Sequence, residues 1–172
     1  MLTIWTNAKF SDAQRDALAE GVKPHRLIFS TQLSASNLAK AAADPTMQEA
    51  DIAFGQPDPD QALQCPRLRW IHLTTAGYTR YDGAAFREAF GGRGSTLTNS
   101  SMVYNEPCAE HVLAYMLANA RQLMPSLDTQ RTDRAWPTLE TRTKTSLLVG
   151  QSAVLLGFDA IGQRLAELLA PF

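Results

Sequence analysis

Short apolar runs alternate with helix-forming segments over roughly the first hundred residues, and this alternation limits the fold more than any other feature. Runs of this length fit strands buried in a sheet, and a strand followed by a helix and another strand implies parallel pairing. The predicted strands cover residues 2–5, 26–30, 51–55, 68–74 and 96–99. The sequence therefore predicts an α/β protein with a doubly wound parallel sheet.

Several connecting segments carry helix signals. Ser11 and Gln14 have the spacing of a capping box, residues 33–43 are rich in Ala and Leu, and residues 61–63 form at most a short helix. A long helix is predicted from Asn105, its cap, to Pro125, which ends it. Its apolar face comprises Ala109, Val112, Leu113, Met116, Leu117 and Ala120. Residues 127–136 show a weaker helical pattern, and residues 137–146 are predicted to form a polar loop.

A different signal follows in residues 155–166, which read LLGFDAIGQRLA. An apolar run over residues 153–156 passes through glycines into helix-forming residues, as in a strand, turn and helix with a dinucleotide-binding fingerprint. The middle glycine of that fingerprint is replaced by Asp159. A carboxylate about 4 Å from a phosphate charge, at an effective dielectric of about 20, would oppose binding by roughly 4 kcal/mol.

Two interpretations of Asp159 follow. The turn could still bind a dinucleotide through its six residues, Gly157, Phe158, Asp159, Ala160, Ile161 and Gly162. Alternatively, the Asp159 carboxylate accepts the unpaired N–H groups at the start of its own helix, in the place that a phosphate would take. The second interpretation is favoured here, because the side chain adds both bulk and negative charge.

Composition excludes several classes of function. The 172 residues carry a formal net charge of -1, so no global field attracts nucleic acid or an acidic membrane. The sequence contains no stretch typical of a signal peptide or a membrane span, which makes the cytoplasm the expected location. Cys65 and Cys108 lack the spacing of a metal site and are interpreted as ordinary reduced thiols.

Three segments together resemble the D-isomer-specific 2-hydroxyacid dehydrogenase family. They read RLRWIHLTTAGYTRYD, LTNSSMVYNEPCAEHVLAYMLANAR and LLVGQSAVLLGFDAIGQRLAELLAPF, and they follow one another in family order over about the last hundred residues. The resemblance implies a flavodoxin-like substrate domain in residues 1–100. It implies that residues 101–172 form a connecting helix and the first β-α unit of a Rossmann NAD(P)-binding domain.

The resemblance also implies a substrate site. In such proteins the loop that matches Thr75, Ala76, Gly77 and Tyr78 presents backbone N–H groups to the carboxylate of a small 2-oxo or 2-hydroxy acid. A glycine permits close approach to the backbone, and adjacent N–H groups after a parallel strand form an anion-binding concavity. The alternative is a simple turn after a strand. NAD or NADP is the implied cofactor, and Asp159 predicts that its binding is weak or lost.

Catalysis in this family uses an Arg and a Glu-His pair, and no residue of this chain matches them. His25, His72 and His111 are interpreted as structural, with His72 on one strand face beside Trp70 and Thr74. No catalytic residue and no metal site is therefore predicted.

The overall expectation is a truncated, NAD(P)-linked oxidoreductase of this family that is inactive as this chain. By resemblance it forms a homodimer or associates with a homologue. Two alternatives stay open: a non-catalytic module that binds a small acid or a homologue, and an interrupted or incomplete sequence whose function resides elsewhere.

Overall fold

A computed structural model describes residues 1–32, 42–136 and 138–172 of the chain. These residues form two compact units, Met1–Ser101 and Met102–Phe172. The first unit contains a sheet and the helices that connect its strands, and the second is helical. Among the described residues, no helix combines the length and the apolar character needed to cross a membrane.

The first unit is built on a five-stranded sheet in which every strand pair is parallel. Its strands are β1 (Thr3–Thr6), β2 (Arg26–Phe29), β3 (Ile52–Gly55), β4 (Trp70–Leu73) and β5 (Thr96–Thr98). They lie in the order β2-β1-β3-β4-β5, which is the order of flavodoxin-like folds. The predicted α/β fold with a parallel sheet is therefore confirmed, and each of the five predicted strands is present within two residues of its predicted ends.

One face of the sheet forms the core. Trp5, Ala53 and Ile71 lie in register on adjacent strands and are all buried. The opposite face is only half-buried. There, as predicted, Trp70 and His72 lie together, with ring centroids 6.2 Å apart, and His72 also stacks on Phe54.

Helices of the first unit follow the strands. They are α1 (Asp12–Gly21), α2 (Pro59–Gln64) and α3 (Ala84–Gly92), with a short 3₁₀-helix at Pro45–Glu49. The predicted capping box is confirmed, since Ser11 and Gln14 exchange hydrogen bonds at the start of α1. The helix predicted over residues 33–43 lies outside the described residues, except for Ala42 and Ala43, which are not helical.

The second unit contains α4 (Asn105–Ala120), α5 (Leu123–Arg131), α6 (Thr138–Lys144) and α7 (Ala160–Leu169). Two predicted boundaries of α4 were wrong. Asn105 is the first helical residue, because a 3₁₀-helix over Ser101–Tyr104 leads directly into α4 and leaves no extended cap position. Pro125 does not end α4 but lies in the first turn of α5, where a missing N–H breaks no helical bond.

Two further predictions for the second unit were wrong. The region predicted as a polar loop contains α6, in which Glu140 and Lys144 form an ion pair one helical turn apart at 2.6 Å. Residues 153–156 form no strand. A strand exists only as part of a hydrogen-bonded ladder, and none of the described strands pairs with this segment.

Candidate anion-binding loop and helix turn

The carboxyl ends of β3, β4 and β5 place three connecting segments at the same edge of the sheet. Ligands of parallel α/β folds bind at this edge. Thr75, Ala76, Gly77 and Tyr78 follow β4 and form the segment that we call the 75–78 loop. Gln56 follows β3, and Asn99 and Ser100 follow β5.

Every carbonyl of the 75–78 loop accepts a hydrogen bond from the protein. The Thr75 carbonyl accepts from the Ser100 N–H at 3.1 Å, and the Ala76 carbonyl accepts from the Asn99 amide at 2.7 Å. The Gly77 carbonyl accepts from the Thr75 hydroxyl at 2.8 Å. The Tyr78 carbonyl accepts from the Tyr81 N–H at 2.8 Å. The loop is thus fixed through its acceptors.

The N–H groups of the same loop show the opposite pattern. Within the described ranges, none of the four donates a hydrogen bond to the protein. In a trans peptide the carbonyl and the next N–H point in opposite directions, so the bonded carbonyls of Thr75, Ala76 and Gly77 turn the following N–H groups away from their partners. The result is a row of adjacent donors, which is the requirement for binding an oxyanion.

Access to these donors is open. Gly77 and Tyr78 are exposed and Ala76 is half-buried. A Cβ added at Gly77 would meet no other protein atom within 4 Å, so packing does not require glycine there. The missing side chain instead leaves room for a ligand to approach the backbone.

A buried tyrosine anchors the chain just after the loop. The Tyr81 hydroxyl donates a hydrogen bond of 2.6 Å to the Pro57 carbonyl, and its ring contacts Phe86 edge-on. Burial raises the pKa of Tyr81 far above its usual value, so the hydroxyl remains a donor. Tyr81 therefore fixes the carboxyl end of the loop against the segment after β3.

Sequence reasoning missed two residues at this edge, Asn7 and Gln56. The Gln56 amide donates to the hydroxyls of Thr74 and Thr75 at 3.3 and 3.1 Å, and Asn7 bonds the backbone of Gln56. Both are polar residues next to the end of a predicted parallel strand. That position is a usable sequence signal for a residue near a ligand site.

The second candidate site is the turn at the start of α7. Gly157 has a φ of 94°, and a Cβ on Gly162 would come within 2.4 Å of the Gly157 carbonyl oxygen. Both glycines are therefore required by the backbone, as the fingerprint predicts. Phe158 is 65% exposed and packs little against the protein.

Asp159 caps its own helix. Its carboxylate accepts hydrogen bonds from the N–H groups of Ile161 at 3.2 Å and Gly162 at 3.3 Å. This confirms the predicted hydrogen bonding of Asp159. A cofactor pyrophosphate at this helix start would compete with Asp159 for the same N–H groups.

An ion pair joins α7 to α4 within the second unit. The Arg164 guanidinium contacts both carboxylate oxygens of Glu106, at 2.6 and 2.8 Å, and it also pairs with Glu167. The hydrogen bond from Arg164 lowers the pKa of Glu106. Because the pair is largely exposed, it orients the two helices rather than supplying much stability.

Each of the three histidines contacts neighbouring residues of its own unit. His72 contacts the hydroxyls of Thr98 and Ser100 at 2.8 and 3.2 Å, and His111 packs edge-on against Tyr115. His25 contacts the Leu2 N–H. Within the part of the chain that the structure describes, no three His, Cys, Asp or Glu side chains converge on a metal position.

A parallel sheet in this strand order is typical of flavodoxin-like folds, whose ligands bind at the carboxyl ends of the strands. Structural comparison agrees. The chain is similar to D-lactate dehydrogenase from Aquifex aeolicus, solved with NAD and lactic acid, with a TM-score of 0.74 and 19% identity over 98% of this chain.

Two other similar structures are an NADPH-dependent glyoxylate/hydroxypyruvate reductase from Sinorhizobium meliloti, with a TM-score of 0.69 and 19% identity, and a phosphoglycerate oxidoreductase from Rhizobium etli, with 0.69 and 21%. Each is matched over 99% of this chain. No protein-family model and no curated protein sequence matches the chain.

The chain spans about half the length of these solved structures, 48%, 50% and 53% of them respectively. The predicted resemblance to D-2-hydroxyacid dehydrogenases is confirmed at the level of fold.

Proposed function

We propose that the first unit is a substrate domain of the D-2-hydroxyacid dehydrogenase type, which binds the carboxylate of a small 2-oxo or 2-hydroxy acid at the 75–78 loop. The second unit then corresponds to the connecting helix and the beginning of an NAD(P)-binding domain. The lineage is that of oxidoreductases that interconvert 2-hydroxy and 2-oxo acids with NAD or NADP.

One observation carries the proposal: all four carbonyls of the loop are bonded, whereas none of its four N–H groups bonds another described residue. A plain turn after a strand has no reason to separate donors from acceptors in this way. A carboxylate has two oxygens and needs two or more donors, which the row of N–H groups offers. The named ligands of the similar structures, lactic acid and citrate, are carboxylates.

Cofactor binding is proposed to be weak in residues 1–172. Asp159 occupies the helix N–H groups that a pyrophosphate would use, and its charge opposes a phosphate. Because Asp159 is exposed, water screens this repulsion, and occupation of the N–H groups is the stronger obstacle.

Turnover is not expected from residues 1–172 alone. None of these residues matches the Arg or the Glu-His pair of the family. We therefore expect the 75–78 loop to bind a small acid without hydride transfer, which is the role of a small-acid-binding module.

The binding experiment uses the complete 172-residue protein. Pyruvate is titrated first without and then with NADH, and binding is followed by the ¹⁵N shifts of residues 75–78. Pyruvamide, which lacks the carboxylate, is the matched control. We expect pyruvate alone to shift these signals and pyruvamide to leave them unchanged. Equal responses to both compounds, or a response confined to other residues, would overturn the proposal.

A second candidate function is association with another copy of the chain or with a homologue. Val154 and Leu156 are 85% and 97% exposed, and they lie in a segment without regular secondary structure, outside the described sheet. Apolar side chains exposed in an unpaired segment favour protein association. We propose that residues 153–156 form this contact.

A further inference from the structure

We infer that Gln56 is a positioning residue for the 75–78 loop: its side-chain amide holds the loop in the conformation that leaves the row of N–H groups for an anion. The inference rests on the proposed function and adds a residue from a different strand to the site.

The backbone of Gln56 is fixed from β1. Its N–H donates to the Asn7 side-chain oxygen at 2.8 Å, and its carbonyl accepts from the Asn7 amide at 2.9 Å. Asn7 is 2% and Gln56 3% exposed, so water does not compete for these bonds. The preceding Gly55 has a φ of 137°, and a Cβ there would lie 2.3 Å from the Asn7 oxygen. Glycine is therefore required for Asn7 to reach Gln56.

The side chain of Gln56 then reaches the loop. Its Nε2 donates to Thr75 Oγ1 at 3.1 Å and to Thr74 Oγ1 at 3.3 Å. Thr75 Oγ1 in turn donates to the Gly77 carbonyl at 2.8 Å. A hydroxyl has a single proton, and because Thr75 donates it to Gly77, its oxygen is the acceptor in the bond with Gln56. The Gln56 NH₂ group is thus fixed towards the two hydroxyls.

The hydrogen bonds from Gln56 to Thr75 and from Thr75 to Gly77 determine the direction of the Tyr78 N–H, one of the proposed ligand-binding donors. The Gly77 carbonyl and the Tyr78 N–H belong to one planar trans peptide and point in opposite directions. Holding the carbonyl on Thr75 therefore aims the Tyr78 N–H away from Thr75. If the Gln56 bond is lost, the Thr75 hydroxyl can rotate, and the peptide after Gly77 loses its fixed orientation.

Two substitutions test whether the loop depends on the N–H donors of the Gln56 side chain or only on its shape. Gln56→Glu keeps the shape but offers only acceptors, so it draws the Thr75 proton away from Gly77. Gln56→Met keeps a similar volume and offers no donor. Gln61→Met is the matched control, because Gln61 is also buried but bonds the backbone of Asp44 through its amide nitrogen and oxygen, at 2.6 and 2.9 Å.

Two readouts are made on the full chain: backbone ¹⁵N order parameters of residues 76–78 without ligand, and pyruvate affinity with pyruvamide as control. We expect both Gln56 variants to lower the order parameters of the loop from about 0.85 towards 0.6. Pyruvate affinity should fall about three- to tenfold, which corresponds to one lost hydrogen bond. Gln61→Met should lower the unfolding midpoint and leave the loop and the affinity unchanged.

The two proposals fail differently. If the wild-type protein binds no pyruvate, the proposed function is wrong, and the order parameters still decide whether Gln56 positions the loop. If the protein binds pyruvate and Gln56→Met keeps both the affinity and the order parameters, the inference about Gln56 is overturned. Should the Gln56 variants not fold, Thr75→Val removes the same link while leaving the Asn7–Gln56 bonds. It is expected to loosen residues 76–78, and a loop as rigid as the wild type would contradict the inference.

Discussion

The carboxylate of Asp159 accepts a hydrogen bond from the N–H of Gly162 at 3.3 Å, so α7 satisfies one of its first donors with its own N-cap side chain. Ile161 provides a second donor at 3.2 Å. A phosphate and this carboxylate compete for the same groups. This competition is the basis for the proposal that the turn, which keeps the first and last fingerprint glycines, binds a dinucleotide weakly.

Replacement of Asp159 should reverse this competition. Asp159→Gly removes the charge and the cap, and we expect NADH affinity to rise by about tenfold or more, with only a few tenths of a kcal/mol lost in stability. Asp159→Asn keeps a capping oxygen without the charge and should give a smaller gain. NADH titration by fluorescence measures both effects. Equal, unimproved affinities in both variants would show that Asp159 does not limit cofactor binding.

The close contact of Gly162 with Gly157 predicts a second effect. Gly162→Ala places a Cβ 2.4 Å from the Gly157 carbonyl oxygen, so the start of α7 must shift. We expect the free energy of unfolding to fall by about 1–3 kcal/mol. Gly91→Ala in α3 is the control, because a Cβ there meets nothing within 4 Å. It should stabilise the protein by about 0.5–1 kcal/mol. Urea unfolding of both variants makes the comparison, and similar losses would argue against a tight turn.

The hydrogen bonds of Asp44 lead us to expect that the first unit loses stability in acid. Its carboxylate is buried, which opposes ionisation, but the Ser30 hydroxyl, the backbone and hydroxyl of Thr46 and the Trp5 indole donate hydrogen bonds to it. These bonds outweigh burial and lower the pKa of Asp44 below its usual value.

A lowered folded-state pKa stabilises the protein above the unfolded-state pKa, near 3.9 for Asp, and this contribution is lost as pH falls through the lower folded value. We therefore expect urea stability to decrease below about pH 4. Asp44→Asn should lower stability at pH 7 by about 1–3 kcal/mol and flatten this decrease.

The exposed Asp16→Asn is the control for Asp44 and should change neither quantity. Asp51, whose pKa is lowered first by the Thr3 N–H and also by Arg67, keeps part of the acid response in the Asp44 variant. If the urea stability of Asp44→Asn falls with decreasing pH as steeply as that of the wild type, the role of Asp44 is contradicted.

Because residues 153–156 expose apolar side chains, we expect them to form the contact in self-association. Val154→Lys with Leu156→Lys should weaken self-association about tenfold or more, since burial of two unpaired charges opposes contact. Ala13→Lys, on the exposed surface of α1, controls for added charge and should leave association unchanged. Sedimentation over a range of protein concentrations gives the result. If the wild-type protein stays monomeric throughout that range, the association proposal fails.

Local signals in the sequence were enough for much of the fold. Strands were predictable because each is a short apolar run bounded by turn residues, and the Ser11–Gln14 box was predictable because its partners are three residues apart. The role of Asp159 was predictable for the same reason, since both donors follow within three residues. The failed predictions, at Asn105, Pro125, α6 and residues 153–156, concern segments whose state depends on neighbours that no local pattern records.

By itself, the sequence determined the parallel α/β fold, the position of the 75–78 loop and the cap on α7, because these depend on periodicity and on contacts within a few residues. Only the tertiary structure decided which groups of the loop stay available. The Thr75 and Ala76 carbonyls are bonded by Ser100 and Asn99, which follow β5, and the Thr75 hydroxyl is bonded by Gln56, which follows β3. Those partners are 19 to 25 residues away along the chain, and parallel pairing of β3, β4 and β5 alone brings them together.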